Sequence, residues 1–402
     1  MPPEAEALPW DVQCAQRLGD EVLLGPPELD GGTAELLGLG RGKADEEGLS
    51  RYLDIQMISS GPMARKAFLL GGTGKTGRAL TERLLETGWD VVVASRGERP
   101  VETSKDARHF ALDRDDDEAL RSALGGGVDV LVDFVAFQPA HAEQLLGLRG
   151  LTRSLVVVSS ASVYADPAGR SLDEAREGGQ PEFRVPLTER EPTVPAGDET
   201  YSTRKVAIER ALLGQEAIPS TLVRAGAIYG PGDLNSREWY FVKRVLDGRR
   251  VVVLAHRGAS RFQPTSVHNL AELIRLAAER PGRRLVNCGD PDAPPVVEIG
   301  RHVAAALSHE WTEVLLPGAP QGQVGANPWG VPRPFVLDMT EAEFEVGYRP
   351  VTTYARAVGE TCAWLVSATE GRDWREVLPV ASKLYGEEFD YAAEDEYVRG
   401  LT

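Results

Sequence analysis

A glycine-dense turn, Leu70-Gly71-Gly72-Thr73-Gly74-Lys75-Thr76-Gly77, joins the apolar run Ala67-Phe68-Leu69-Leu70 to a helix-compatible stretch, Arg78 to Glu86. A strand that ends in glycines and restarts as a helix gathers backbone N–H groups and a positive helix end at one point. That point suits a pyrophosphate. The spacing is Gly-x-x-Gly-x-x-Gly (Gly71, Gly74, Gly77), a weak sign alone. It gains force from four further features downstream in the chain.

From Lys66 on, short β-branched runs alternate with helix-like stretches. The runs lie at 67–70, 91–94, 109–112, 128–135, 155–158 and 220–223, and helical stretches such as Leu80 to Leu85 and Lys205 to Leu213 separate them. Strands apolar on both faces, with helices between, predict an α/β fold: a doubly wound, Rossmann-like parallel sheet. After Tyr229 the pattern changes to short mixed segments with proline-rich joints at 291–295 and 327–334. The expected organisation is an acidic N-terminal extension over 1–63, partly disordered, and a nucleotide-binding domain over 64–228 whose core elements can recur later. A smaller C-terminal substrate lobe over 229–370 and an acidic tail over 371–402 complete it. Met57 or Met63 is a candidate start of the folded unit. The tail's aromatics leave open whether it docks or frays.

The 402 residues are 42% hydrophobic, enough for a substantial core. A net charge of −17 disfavours a nucleic-acid or anionic-membrane surface, which needs clustered Lys and Arg. Three scattered cysteines (Cys14, Cys288, Cys362) form no disulfide framework, which makes a reducing cytoplasm the expected compartment. The six histidines lack ligand spacing, so no metal is expected. No apolar stretch reaches transmembrane length.

At the end of the second run stands Ala94-Ser95-Arg96-Gly97. An acid here would bond ribose hydroxyls, whereas Arg suits a 2′-phosphate through charge-assisted contacts. Ser95 and Arg96 therefore favour NADP, with NAD as the alternative. Asp113, closing the third run, is a candidate adenine contact or a plain turn carboxylate. Gly74-Lys75-Thr76 also resembles the end of a phosphate-binding nucleotidase loop. That motif needs a glycine at position 69, which is Leu69 within the predicted strand, so the rival is set aside.

Tyr201-Ser202-Thr203-Arg204-Lys205 carries a phenol and an ammonium four apart, on one helix face. A free phenol has a pKa near ~10, and a neighbouring lysine brings it towards a working range. Upstream, the run 155–158 ends in Ser159-Ser160-Ala161-Ser162-Val163-Tyr164, with hydroxyls at a strand's carboxyl end.

With these motifs the chain, over residues 66 to 367, resembles the extended short-chain dehydrogenase/reductases of the nucleotide-sugar epimerase/dehydratase superfamily. The glycine turn, Ser-Ser-x-x-Val-Tyr, Tyr-x-x-x-Lys and Arg224-Ala225-Gly226-Ala227-Ile228-Tyr229-Gly230-Pro231 occur in the family's order. The resemblance implies Tyr201 as catalytic acid/base, Lys205 as the residue that holds the nicotinamide ribose and tunes Tyr201, and Ser160 as the hydroxyl on the reacting oxygen. It implies that Gly71, Gly74, Lys75, Thr76, Gly77, Val135, Ala136, Ala227 and Ile228 contact the cofactor. Arg261 resembles an arginine that meets substrate diphosphate, and His268 is a further candidate for the substrate pocket. Two departures argue against a UDP- or dTDP-sugar. Asp133-Phe134-Val135-Ala136 replaces His-Leu-Ala-Ala, as in atypical chloroplast stem-loop-binding-like relatives, and Ala227 replaces a frequent Asn.

The resulting expectation is an NADP-preferring oxidoreductase acting on a secondary alcohol or ketone of a sugar-like small molecule. A nucleotide-sugar epimerase or dehydratase with retained NAD(P) is the alternative. A non-catalytic NAD(P)-sensing or RNA-binding module is the rival from another class. A homodimer is expected by family analogy only.

Overall fold

Alternation within the apolar runs decides how the sheet is built. The computed structural model describes residues 64–97, 106–173, 179–389 and 391–401, and the expectations for residues 1–63 lie outside these. In chain order come β1 (Lys66–Leu70), α1 (Lys75–Glu86), β2 (Asp90–Ser95), β3 (Arg108–Ala111) and α2 (Asp117–Leu124). Then come β4 (Val130–Asp133), α3 (Ala140–Gly147), β5 (Leu155–Ser160), α4 (Tyr201–Leu213) and β6 (Ser220–Ala225).

Ala67, Leu69, Val91, Val93, Val130 and Val132 pack into one buried layer with Leu80 and Leu84 of α1. Their neighbours Phe68, Leu70, Val92, Ala94 and Leu131 point the other way, onto Leu120 of α2, Leu145 of α3 and Ile208 of α4. Period-two side chains thus give each strand two apolar faces, and helices cover both. The sheet is parallel, with strand order β10-β6-β5-β4-β1-β2-β3, where β10 is the later strand Arg284–Cys288. Leu69 of β1 pairs Val93 on one side and Val132 on the other. Strand order therefore reverses at β1, and the crevice beyond its carboxyl end is where such sheets bind ligands.

Two runs end differently from expectation. The run 128–135 is strand only to Asp133, because the buried Asp133 carboxylate accepts the Val135 N–H at 2.7 Å and turns the chain out of the sheet. The run 109–112 contributes the edge strand β3, Arg108–Ala111, whose four residues are all exposed, while Leu112 beyond it is buried.

The remaining elements are β7 (Ala227–Tyr229), α5 (Trp239–Leu246), β8 (Val251–Leu254), β9 (Pro264–Ser266), α6 (Val267–Glu279) and β10 (Arg284–Cys288). After them come α7 (Val296–Ala306), β11 (Thr312–Leu315), α8 (Thr340–Val346), α9 (Tyr354–Thr369), α10 (Trp374–Val377), α11 (Pro379–Tyr385) and α12 (Tyr391–Arg399). The stretch 229–370 is divided in space. β10 returns to the main sheet beside β6, and α6 buries Leu270, Leu273 and Ile274 in the α1 layer. The rest forms a separate aromatic core of Trp239, Tyr240, Phe241, Trp329, Phe335 and Tyr354.

The acidic tail docks. Glu394 of α12 meets Arg244 of α5 at 2.6 Å with both side chains buried, and Tyr391 donates to Asp247 at 2.6 Å. Tyr385 of α11 donates to Asn235 on the loop after β7. Among the described residues, no helix is long and apolar enough to cross a membrane, and no cluster of three metal-ligating side chains occurs.

Candidate functional site

Close approach explains the glycine turn. Gly71 has φ +78°, and a Cβ there would lie 2.6 Å from Val135 Cγ1; a Cβ on Gly77 would lie 2.2 Å from the Gly72 carbonyl oxygen. Both glycines let the turn fold tightly, Gly71 against the loop that follows β4 and Gly77 against the turn's own backbone. Gly74 differs: its φ is −70°, and the nearest atom to a Cβ would be the Gly71 oxygen at 3.6 Å. It faces open space. Gly74 is also the N-cap of α1, with no side-chain cap and no acidic residue in the first turn. An uncapped helix start behind an open glycine is the backbone arrangement that takes a phosphate.

Around this turn, Thr76 is buried, and Lys75 reaches across the crevice to the Ile228 carbonyl at 2.8 Å and Asp233 at 2.7 Å. Ser95 is half-buried at the end of β2, and Arg96 beyond it is exposed. Asp113 is exposed too and accepts the Asp115 N–H at 3.1 Å, a local turn contact.

The second half of the site is built on α4. Thr200 caps this helix through a reciprocal capping box with Thr203, which fixes Tyr201 as its first residue. One turn on, buried Lys205 donates to the carbonyls of Ala136, 2.8 Å, and Val158, 3.0 Å. Its Nζ lies 5.5 Å from the centre of the Tyr201 ring and 4.9 Å from that of Phe137. Burial pulls the lysine down to about 8, against the opposing pull of Asp133 and Glu209. One turn further, Glu209 grips Arg224 of β6 at 3.0 and 2.6 Å and accepts the Ser159 hydroxyl at 2.6 Å, all buried. The helix is therefore pinned to β5 and β6 at the place where Ser160 ends β5.

Ser160, Tyr201, Lys205, Lys75, Ala227 and Ile228 line one cleft at the carboxyl ends of the strands. Val135 and Ala136 form the loop beside it: Ala136 offers its carbonyl to Lys205, and the Val135 carbonyl accepts from Arg114 at 2.8 Å. Arg114 also pairs with the buried Asp133 at 3.2 Å, which gives the Asp133-Phe134-Val135-Ala136 departure a structural partner. Arg261 and His268 are not brought to this wall. Arg261 donates to the Ala293 carbonyl at 2.8 Å, and His268 pairs with Glu360 of α9 at 2.8 Å near the surface. Sequence reasoning missed Glu209, Asp173, Arg237 and Phe137. Only Glu209 carried a signal, the same four-residue step that links Tyr201 to Lys205.

A model of the NAD dependent epimerase/dehydratase family matches residues 67–289. A dTDP-L-rhamnose 4-epimerase of Burkholderia thailandensis is 22% identical over 362 residues, covering 77% of this chain and 97% of the relative. A 2'-dehydrokanamycin reductase of Streptomyces kanamyceticus is 28% identical over 264 residues, 63% of this chain and 69% of its own. Among solved structures, a UDP-galactose 4-epimerase aligns with a TM-score of 0.57 at 22% identity, over 76% of this chain and 99% of the other.

Proposed function

The chain belongs to the NAD dependent epimerase/dehydratase family, and from that premise we propose that it is an NADP-preferring oxidoreductase acting on a secondary alcohol or ketone of a sugar-like molecule. The family makes it an NAD(P)-dependent enzyme of the oxidoreductase or epimerase/dehydratase kind. The observation that carries the finer reading is Lys205, buried, held between two carbonyls and lying over the Tyr201 ring, on the same cleft wall as Ser160.

The residues present fit a dinucleotide. Gly71, Gly74, Gly77 and the uncapped start of α1 receive the pyrophosphate, with Lys75 and Thr76 beside it. Ser95 and Arg96 take the 2′-phosphate, Asp113 stands on the adenine side, and Val135, Ala136, Ala227 and Ile228 wall the nicotinamide. Lys205 holds the ribose. When bound, the cofactor supplies or accepts a hydride. Tyr201 moves the proton on the reacting oxygen, and Ser160 steadies that oxygen. The ammonium beside Tyr201 favours the charged form of a phenol, which suits it to proton exchange with the reacting oxygen.

Purified protein incubated with NADPH and a panel of sugar ketones and nucleotide sugars should lose absorbance at the reduced-nicotinamide band. Tyr201→Phe should lower that turnover by roughly 10²–10⁴-fold with NADPH affinity kept. Undiminished turnover in this variant would remove the assignment. The second reading, an epimerase or dehydratase that retains NAD(P), is supported by the rhamnose epimerase relative, which aligns over nearly its full length. It requires substrate conversion with no net change in that band.

A further inference from the structure

We propose that His141 is a positioning residue for the candidate site: its neutral ring, with the proton on Nε2, fixes the loop that presents Phe137 and the Ala136 carbonyl to Lys205. The proposal rests on the reading of Tyr201 and Lys205 above and extends it to a residue that no motif includes.

The loop 134–138 leaves β4 and is tied down along its length. The Phe134 N–H donates to the Leu70 carbonyl at 3.1 Å, and the Val135 carbonyl accepts from Arg114 at 2.8 Å. The far end of the loop rests on His141, the second residue of α3, whose side chain is largely buried. His141 Nδ1 accepts the Phe137 N–H at 3.0 Å and the Gln138 N–H at 3.2 Å. On the opposite edge of the ring, Nε2 lies 3.1 Å from Asp115 Oδ1.

These partners decide the tautomer. A backbone N–H only donates, so Nδ1 carries a lone pair, which the two amides share; a carboxylate only accepts, so Nε2 carries the proton. What the ring holds lies beside the candidate chemistry. The Ala136 carbonyl accepts from Lys205 at 2.8 Å. The centre of the Phe137 ring lies 4.9 Å from Lys205 Nζ and 6.4 Å from the centre of the Tyr201 ring. A solvent proton taken up by Nδ1 would remove the lone pair and set a third donor against two others, so the far end of the loop would be released. The surroundings resist that proton. Burial and the Arg114 guanidinium outweigh Asp133 and Asp115, so the ring titrates below its ordinary value. The start of α3 adds to this, because a cation is unfavourable at a helix N-terminus. Lys205 of α4, beyond Phe137, and Asp117 of α2, bonded to Gln144 of α3 at 2.7 Å, are the other charged groups packed around the loop.

The experiment uses the full chain with its six histidines and its lysines labelled with ¹⁵N, His141 being assigned by His141→Asn and Lys205 by Lys205→Met. NMR should show His141 as the Nε2–H tautomer at neutral pH, with a midpoint below ~6.5. An Nδ1–H tautomer overturns the proposal. His141→Ala removes the acceptor, whereas His141→Asn offers a side-chain oxygen close to the place of Nδ1. In the alanine variant the Phe137 and Gln138 amides should exchange with deuterium about tenfold faster. The Lys205 midpoint should fall by about half a pH unit as its ammonium loses the Ala136 carbonyl, and the asparagine variant should restore both readings. A histidine that merely helps to start α3 leaves the Lys205 midpoint in place, and that result overturns the proposal. Should the alanine variant fail to fold, the wild type decides: exchange at these amides, relative to the intrinsic rate, should rise as pH drops through the His141 midpoint, and His141→Asn should lack the rise. With a carbonyl substrate from the panel, wild-type kcat should fall about tenfold per pH unit below that midpoint. An identical acid limb in His141→Asn overturns the proposal. If nothing on the panel turns over, the oxidoreductase reading fails, while the exchange and the Lys205 titration still decide the role of His141.

Discussion

Gly74→Ala separates cofactor recognition from folding. At φ −70° and ψ 171° an alanine is unstrained, and its Cβ would meet nothing closer than 3.6 Å. Restricting the unfolded chain stabilises by ~0.4–1 kcal/mol. Alanine is a poorer N-cap than glycine by a comparable amount, so the two effects cancel to within about 0.5 kcal/mol. The methyl group, however, fills the open space over the start of α1. If it keeps a pyrophosphate from two backbone N–H groups, at ~1.5–3 kcal/mol for each bond to a charged partner, the loss is ~3–6 kcal/mol. That is roughly 10²–10⁴ in Kd. Gly77→Ala is the contrasting control. Its Cβ would stand 2.2 Å from the Gly72 oxygen and 2.5 Å from the Gly72 Cα, both backbone atoms. It should destabilise the apoprotein by about 1–3 kcal/mol or more. Urea unfolding of the apoprotein reads the first quantity, and NADPH fluorescence titration reads the second. If Gly74→Ala binds NADPH within about threefold of wild type, the pyrophosphate does not lie over the start of α1 and the open glycine is not its seat.

Glu209→Gln leaves Arg224 buried without its carboxylate, so it should cost ~3–5 kcal/mol. For a chain of this size that lowers the thermal midpoint by about 5 °C in calorimetry. The double variant Glu209→Leu/Arg224→Met should recover most of the loss, and an equal or larger fall there would contradict a cost that comes from burying an unpaired charge. Arg96→Asp should weaken NADPH binding about 10–100-fold and leave NADH affinity unchanged or better, as measured by fluorescence titration. Lys205 gives up its proton near about 8 when folded but near 10.5 when unfolded. Between those values the unfolded chain binds more protons, so the stability owed to this residue rises with pH from 8 to 10.5. The rise is worth on the order of 3 kcal/mol. Lys205→Met should flatten it in urea titrations at stepped pH, and an unchanged slope would show that the lysine is not the group responsible.

The range of each interaction decides whether it is legible in the sequence. The glycine turn and Tyr201 with Lys205 are local: each sits within eight consecutive residues, and spacing alone specifies the geometry. The two faces of β1, β2 and β4 were readable because side chains alternate strictly along a strand. Other features arise from segments far apart. Glu394 reaches Arg244 across 150 positions, and Asn287 of β10 meets Leu187 across 100. No local pattern specifies such pairs, so neither the docking of the tail nor which later segment returns to the sheet was legible, although a return of core elements was expected. His268 misled for a related reason. It is the second residue of α6, whose inner face is filled by Leu270, Leu273 and Ile274, and its ring turns outward to Glu360.

The most instructive element is α4. Its buried face carries Lys205 and Glu209 as well as Val206, Ile208 and Leu212. An ordinary core helix would put apolar residues at each of those places. Two buried charges on one stripe, each with partners from other strands, cost free energy that a purely structural helix has no reason to bear. Where the apolar pattern of a helix fails this way, and the offending side chains are bonded to neighbouring strands as Lys205 and Glu209 are, the failure points to the place where chemistry is to be sought. Read alone, Tyr-x-x-x-Lys is a weak motif; read as the start of a polar stripe that continues to Glu209, it separates a helix buried against the sheet from a surface one.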